Sequence, residues 1–243
     1  MKPIRGVLRL IFFALATIWL ILKITWYNLW NGENIRRSMY IRHRWTRLFL
    51  PAIGVRIQTT GTPPAQPCII MCNHRSYLDP AILTIDVVGM PVSKAEVAKW
   101  PIVGYGARVS GTFFLQRESL SSRKSTLNGI AEKVGEGFIV ILFPEGTTHT
   151  EPATSPMRKG GFSLAATNGI PVVPVALEYG SADDYWVGKD TFLPHFIRRF
   201  GEKNMRVAVR YGPPLVGDDA DALLRETQNW IDAQLPGLRR EFF

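Results

Sequence analysis

The stretch Pro67-Cys68-Ile69-Ile70-Met71-Cys72-Asn73-His74-Arg75-Ser76-Tyr77-Leu78-Asp79-Pro80 decides how this chain reads. Five apolar residues entered through a proline, two of them β-branched, predict a buried strand from Cys68 to Cys72. The polar residues that follow and the Asp79-Pro80 pair predict a helix, with Asp79 as its N-cap and Pro80 at the first helical position. The stretch is therefore a strand-to-helix turn. Open α/β sheets gather their sites in such turns, at the carboxyl ends of strands.

His74 and Asp79 are five residues apart, about 140° apart on a continuous helix, so they meet only across a turn. If they meet, the carboxylate fixes the imidazole tautomer and leaves the other ring nitrogen free as a base. Such a dyad has no nucleophile of its own, and the attacking group must come from a substrate. The same spacing also suits a turn histidine beside a capping aspartate.

Outward from this turn, strands and helices alternate. The pattern predicts strands at Val55 to Thr59, Cys68 to Cys72, Thr112 to Leu115, Phe138 to Phe143, Val172 to Leu177 and Arg206 to Tyr211. It predicts helices at Ala81 to Val88, Ser119 to Val134, Met157 to Thr167 and Asp219 to Leu235. The fold class that follows is α/β, a mixed and largely parallel sheet flanked by helices. Thr60 to Gln66 reads as a turn between neighbouring strands. No internal repeat or low-complexity tract interrupts the pattern.

The 243 residues suffice for one α/β domain and an appendage. The division is expected near residue 50, with residues 1–50 a membrane-associated two-helix motif and residues 51–243 the α/β domain. The net charge of +9 belongs almost wholly to the first part, where nine Lys or Arg face the single acid Glu33. Leu10 to Leu22 is uncharged, with Lys2, Arg5 and Arg9 before it and Lys23 after it. As a helix it spans roughly 20 Å, short of the roughly 30 Å hydrocarbon core. With cations on both flanks, the reading favoured here embeds it in one leaflet; a full span requires Ile24 to Trp30 to join the helix while Lys23 snorkels. A signal peptide fits poorly, since Trp and Tyr follow the run where a small-residue cleavage site belongs. Ile35 to Leu50 reads as a second helix ending before Pro51. Ile35, Met39, Trp45, Phe49 and Leu50 share one side of it; Arg36, Arg37, Arg44 and Arg47 share the other, with Arg42 the exception. A basic amphipathic helix belongs at a membrane surface. Charge accompanied by lipid-compatible residues, on an otherwise near-neutral chain, argues against nucleic acid as a partner.

Cys68 and Cys72 lie about 13 Å apart on one strand, too far for a disulfide. Two such thiols suggest a reducing compartment, buried structural cysteines and no zinc. Chemical groups also stand at the ends of other strands. Pro144 and Gly146 suit a type I turn that would hold Glu145 up at the end of Phe138 to Phe143, where it could accept hydrogen bonds from a polyol or serve only as turn chemistry. Arg117 ends Thr112 to Leu115 and suits a phosphate or carboxylate, as an exposed arginine also would. Arg158 and Lys159 precede Gly160-Gly161 at a helix start, where anions bind.

In four ordered blocks the chain resembles the glycerolipid acyltransferases typified by bacterial 1-acylglycerol-3-phosphate acyltransferases. The blocks are Asn73-His74 through Asp79, Gly111 to Arg117, Phe143-Pro144-Glu145-Gly146-Thr147, and Ile170 to Val175; Lys94-Ala95-Glu96 is similar to a further family segment. The resemblance implies His74 as general base, Asp79 as its orienting partner and Arg117 as a ligand for the acceptor's phosphate. It implies that Glu145 and Gly146 shape the acceptor site and that Pro171 forms its far wall; Asn73, Thr147, Arg158 and Lys159 complete the substrate-binding set. It further implies an N-terminal membrane-embedded helical motif, an acyl-coenzyme A or acyl carrier protein donor, no metal and no other cofactor; cytosolic donors, reduced thiols and juxtamembrane basic charge together place the domain on the cytoplasmic face of the inner membrane. The expected reaction acylates the free hydroxyl of a lysolipid, 1-acyl-sn-glycerol-3-phosphate giving phosphatidic acid. Two features depart from the pattern: Thr148-His149 stand where Arg-Ser is usual, and an aromatic insertion runs through Asp184 to Phe196. The insertion makes lyso-ornithine lipid or another lysophospholipid an alternative acceptor. Readings of a different class are a membrane-bound thioesterase using Ser163, within Gly161-Phe162-Ser163-Leu164-Ala165, and a non-catalytic membrane-surface binding protein.

Overall fold

The structure, a computed structural model, describes residues 2–115 and 120–243. Among the described residues seven strands form one sheet: β1 Val55–Thr60, β2 Ile69–Cys72, β3 Gly89–Lys94, β4 Phe113–Leu115, β5 Ile139–Leu142, β6 Val172–Tyr179 and β7 Met205–Tyr211. Their order is β1-β7-β6-β2-β5-β3-β4. Only the β6–β7 pair is antiparallel. The expected mixed, largely parallel α/β sheet is what forms. The α-helices among the described residues are α1 Lys2–Asn31, α2 Ile35–Ala52, α3 Asp79–Leu83, α4 Val103–Val109, α5 Leu120–Gly135, α6 Gly160–Asn168, α7 Phe192–Phe200 and α8 Ala220–Phe242.

The apolar runs lie in the middle of the sheet because both its faces are covered. Every residue of β2 and of β6 is buried. Ile70, Cys72, Val173 and Val175 point into one core with α2 and α7; Ile69, Met71, Val172 and Ala176 point into the other with α6 and α8. This is the alternation a strand must show when both its faces are dry. Cys68 and Cys72 are free and buried. Burial pushes the Cys68 thiol up to about 12 and the Cys72 thiol well above its ordinary value. Both therefore stay protonated near pH 8, where a thiolate is needed for reaction. We expect neither to react with a disulfide reagent in the native protein and both to titrate in denaturant; one fast native thiol would contradict the packing.

Several expectations are corrected. Thr60 to Gln66 does not join neighbouring strands: β1 sits at the sheet edge against β7, and β6 and β7 separate it from β2. A turn sequence shows where the chain bends and is silent on which strand fills the adjacent slot. β3 and the helices α4 and α7 were not anticipated. β3 carries Pro91 in the sheet interior, tolerated because pairing with β5 ends at Pro91 and pairing with β4 begins at Val92. α2 continues through Pro51 to Ala52, since a proline in the last turn costs only a terminal hydrogen bond. Asp79 is not the N-cap of α3; Leu78 is, and the helix ends at Leu83 and not near Val88.

α1 is one continuous helix of 30 residues, long and apolar enough by composition to cross a membrane. Ile24 to Trp30 does join it. Its inner side is fastened to the domain along much of its length. A Cβ on Gly6 would fall 2.2 Å from the Ile197 carbonyl oxygen, so only glycine allows α1 to lie this close to α7. Arg9 donates to the carbonyls of Phe200, the last residue of α7, and Glu202 just beyond it, at 3.1 and 2.7 Å, a cation placed where a helix leaves its carbonyls unpaired. Thr17, Leu20 and Ile24 are buried further along. Arg42, the exception on the basic face of α2, is buried and donates to the carbonyls of Ser110 and Gly89. Burial lowers its guanidinium to about 9, still charged at neutral pH, so it ties α2 to α4 and β3.

Candidate active site

β2 leaves the sheet at Asn73, whose buried side chain replaces the strand that has ended. Its Nδ2 donates to the Leu177 carbonyl and its Oδ1 accepts from the Leu177 amide, both at 2.8 Å. Asn73 thus extends the β2–β6 ladder by one side chain and does not face a substrate. Replacing Asn73 with Ala would leave both Leu177 groups buried and unpaired, and we expect about 2–4 kcal/mol of lost stability. Urea unfolding with an unchanged m value would register it as a shift of midpoint.

With the strand held there, His74 turns toward α3. Its Nδ1 lies 2.8 Å from Asp79 Oδ2. That oxygen also accepts the backbone N–H groups of Arg75 and Ser76, at 2.6 and 2.8 Å. Asp79 therefore reaches back from the first turn of α3 and closes the loop that carries the histidine. A carboxylate oxygen facing three nitrogens accepts from all of them, so Nδ1 carries the proton and Nε2 is left as the basic nitrogen. Asp79 Oδ1 accepts from the Tyr179 hydroxyl at 2.6 Å. Burial, then the Asp79 charge, pushes the Tyr179 phenol well above its ordinary value and keeps it a donor. Sequence reasoning missed Tyr179, because the strand was expected to stop at Leu177, before the charged Glu178. The His74 ring stacks on Phe143, centroids 4.4 Å apart.

Phe143 opens the turn that holds Glu145. Gly146 N–H returns to the Phe143 carbonyl at 3.0 Å, and Gly146 has φ +72°. The positive φ is what calls for glycine there; the neighbouring Arg158 guanidinium, at the end of a flexible exposed side chain, could move aside for a Cβ. The Glu145 side chain is fully buried and points inward. Its Oε1 accepts from the His74 backbone N–H at 2.7 Å; its Oε2 accepts from Ser155 N–H at 2.6 Å and contacts His149 Nε2. The expectation that Glu145 receives polyol hydroxyls is corrected: the acid buckles the loop after β5 to the loop after β2. His149, a departure from the usual pattern, lies between Glu145 and the buried Arg75, whose Nη1 is 3.1 Å from His149 Nδ1.

His74, Gly146 and Thr147 line a cavity of about 440 Å³, with Lys94 on its wall and Phe13, Thr17 and Leu20 of α1 contributing apolar surface. The aromatic insertion covers one side. Trp186 N–H donates to the Arg75 carbonyl at 2.9 Å and the Trp186 carbonyl accepts from Thr148 Oγ, so one residue straps the two site loops together. Tyr77 and Trp100 pack edge-on against Trp186. His195 holds the strap from beneath, its Nε2 3.0 Å from the Tyr185 carbonyl and its Nδ1 3.2 Å from the Tyr77 hydroxyl. Burial lowers the His195 pKa, which favours that neutral arrangement.

Other expected site residues fall elsewhere. Arg117 lies outside the described residues. Lys159 is the N-cap of α6 and pairs with Asp221 at 2.6 Å. Arg158 is exposed on the outer side of Gly146. Pro171 cannot wall the acceptor site: its carbonyl accepts from Ile69 at the amino end of β2, the opposite end of the sheet from His74. Ser163 sits inside α6, away from any strand-to-helix elbow.

A largely parallel α/β sheet behind a long apolar helix, and a histidine–carboxylate dyad open to a cavity with no nucleophilic side chain bonded to its imidazole among the described residues, defines an enzyme that activates a group on its substrate. The chain belongs to the acyltransferase family, whose model, described as Acyltransferase, matches residues 54–178. It is 32% identical over 168 residues to the chloroplastic 1-acyl-sn-glycerol-3-phosphate acyltransferase BAT2 of Brassica napus, covering 68% of this chain and 45% of that protein, so it spans less than half of that relative. It is 30% identical over 208 residues to the lyso-ornithine lipid O-acyltransferase of Pseudomonas aeruginosa, covering 81% of this chain and 80% of that one. The crystal structure of the 1-acyl-sn-glycerophosphate (LPA) acyltransferase PlsC from Thermotoga maritima has the same fold over the full length of both chains, with a TM-score of 0.74 at 20% identity.

Proposed function

We propose that this chain transfers a fatty acyl group from an acyl thioester, of coenzyme A or acyl carrier protein, to the free hydroxyl of a lysolipid. The observation that carries the reading is the 2.8 Å His74–Asp79 contact at the mouth of an apolar cavity. His74 Nε2 takes the hydroxyl proton as the oxygen attacks the thioester carbonyl carbon. The carbon–sulfur bond then breaks, and the imidazolium returns the proton to the departing thiolate. Asp79 holds the ring and balances its transient charge. No protein nucleophile is needed, in keeping with Ser163 inside α6.

The acceptor we favour is 1-acyl-sn-glycerol-3-phosphate, giving phosphatidic acid. A second reading, lyso-ornithine lipid, is supported by the Pseudomonas relative, which aligns over 80% of its own length where the plant protein aligns over 45%. The enzyme would work at the cytoplasmic face of the inner membrane, with α1 embedded in one leaflet. What supports the one-leaflet placement is the contact of α1 with the domain at Gly6, Thr17, Leu20 and Ile24, over roughly 27 Å of its length. The test is thiol release from palmitoyl-coenzyme A by the detergent-solubilised protein, with lysophosphatidic acid, lyso-ornithine lipid, lysophosphatidylcholine or no acceptor. Release dependent on one acceptor supports the proposal and names the head group. Acceptor-independent release would replace it with thioester hydrolysis.

A further inference from the structure

The N-terminal helices carry a second groove, on the side away from the catalytic cavity. Phe12 stacks on Phe49 at one end, 5.6 Å apart; Trp45 Nε1 donates to the Ala16 carbonyl midway, at 3.0 Å; and Arg37 reaches Asn28 Oδ1 at the other end, at 3.1 Å. α1 and α2 therefore run antiparallel, and a groove of about 590 Å³ lies between them. Its lining is polarised. Phe12, Leu48 and Phe49 make one end apolar, Arg44 stands beside Trp45 near the middle, Lys23 and Arg37 charge the other end, and no acidic residue lines it. Among the described residues none of these three cations has an ion pair. Lys23 Nζ rests 4.8 Å over the Trp19 ring, and Arg37 Nε is buried without a hydrogen-bond partner. From Phe12 to Tyr27 the groove follows roughly 22 Å of helix, the scale of an extended acyl chain.

We propose that this groove binds one anionic glycerophospholipid, its phosphate among Lys23, Arg37 and Arg44 and one chain laid over Phe12, Leu48 and Phe49. Charge complementarity selects the occupant: uncompensated cations at one end match an anionic head, and the aromatic and leucine surface at the other matches hydrocarbon. A soluble phosphate would leave the apolar half exposed, and a zwitterionic lipid would leave net positive charge. Trp45 lines both this groove and the catalytic cavity. A filled groove therefore seats the helix pair that forms the cavity's back wall. The site does not depend on which acceptor, if any, the cavity acylates.

The experiment is native mass spectrometry of the full chain in detergent, titrated separately with phosphatidylglycerol and phosphatidylcholine. The wild-type protein should retain one phosphatidylglycerol and discriminate against phosphatidylcholine. Each cation near an anionic lipid is worth about fivefold, so K23Q/R37Q/R44Q should weaken retention on the order of 10²-fold. R44Q alone, at an exposed position, should weaken it about fivefold without touching the fold. K2Q/R5Q/R47Q removes the same charge from the same helices outside the groove and should stay within about twofold of wild type. Equal retention of both lipids, or an equal loss in the control variant, would overturn the site and leave only diffuse surface attraction.

Discussion

Replacing His74 with alanine is expected to lower turnover of the acyl-transfer reaction by about 10³ to 10⁴, with little change in stability. The ring's stacking on Phe143 is worth about 1 kcal/mol, so the protein stays folded. The partner substitution separates two roles of Asp79. In a serine-protease triad, Asp to Asn costs about 10⁴ because the histidine is held in the wrong tautomer. Here the geometry leads elsewhere. Three N–H groups, from His74, Arg75 and Ser76, converge on Asp79 Oδ2, and one hydroxyl that can rotate meets Oδ1. An asparagine amide settles with its oxygen toward the three donors and its nitrogen toward Tyr179. The tautomer survives and only the charge is lost, so D79N should cost about 10² to 10³, less than H74A. Donor-thiol release at saturating acceptor measures both. Full activity in H74A would exclude the base assignment; D79N as damaged as H74A would show that the tautomer had inverted.

The largest stability effect is expected at Glu178, far less conspicuous in the sequence. Its carboxylate and the Arg75 guanidinium are both fully buried. Glu178 Oε1 lies 3.9 Å from Arg75 Nε and accepts from the Tyr185 hydroxyl, while Oε2 accepts from Arg239. The Arg75 guanidinium carbon lies 5.3 Å over the Tyr185 ring. E178Q keeps the shape and removes the only carboxylate within ion-pair distance of Arg75 among the described residues. A buried charge left without its partner costs about 3–5 kcal/mol, a fall in Tm on the order of 10 °C for a chain of this size. R239Q breaks the partly exposed side of the same network and should cost about 1 kcal/mol. Thermal melts of the two variants read the contrast directly. Equal effects would mean that Arg75 is held by His149 and the Tyr185 ring alone.

How much of this was legible in the chain differs from element to element. Short apolar runs placed β2, β4, β5 and β6 as far as Leu177, and alternation of apolar with polar residues placed β1 and β7, whose outward positions stay wet. β3 escaped because Gly89, Pro91 and Ser93 break that pattern, and its pairing on both sides compensates. α7 escaped because an aromatic and basic segment, Phe192 to Phe200, reads as a helix only once α1 supplies the surface it packs against.

The sequence by itself determined the α/β class, the apolar helix with its basic successor, the family, and the turn on which His74 and Asp79 meet. These follow from local rules: periodicity, turn chemistry, and the reach of a side chain across five residues. Only the tertiary structure decided that Glu145 is a buckle, that Asn73 extends the β2–β6 ladder, that Pro171 lies at the wrong end of the sheet, and that Tyr179 and Trp186 complete the site. Each of those roles depends on a partner tens of residues away along the chain, and on whether burial leaves a polar group any alternative to that partner. Linear spacing carries no record of either.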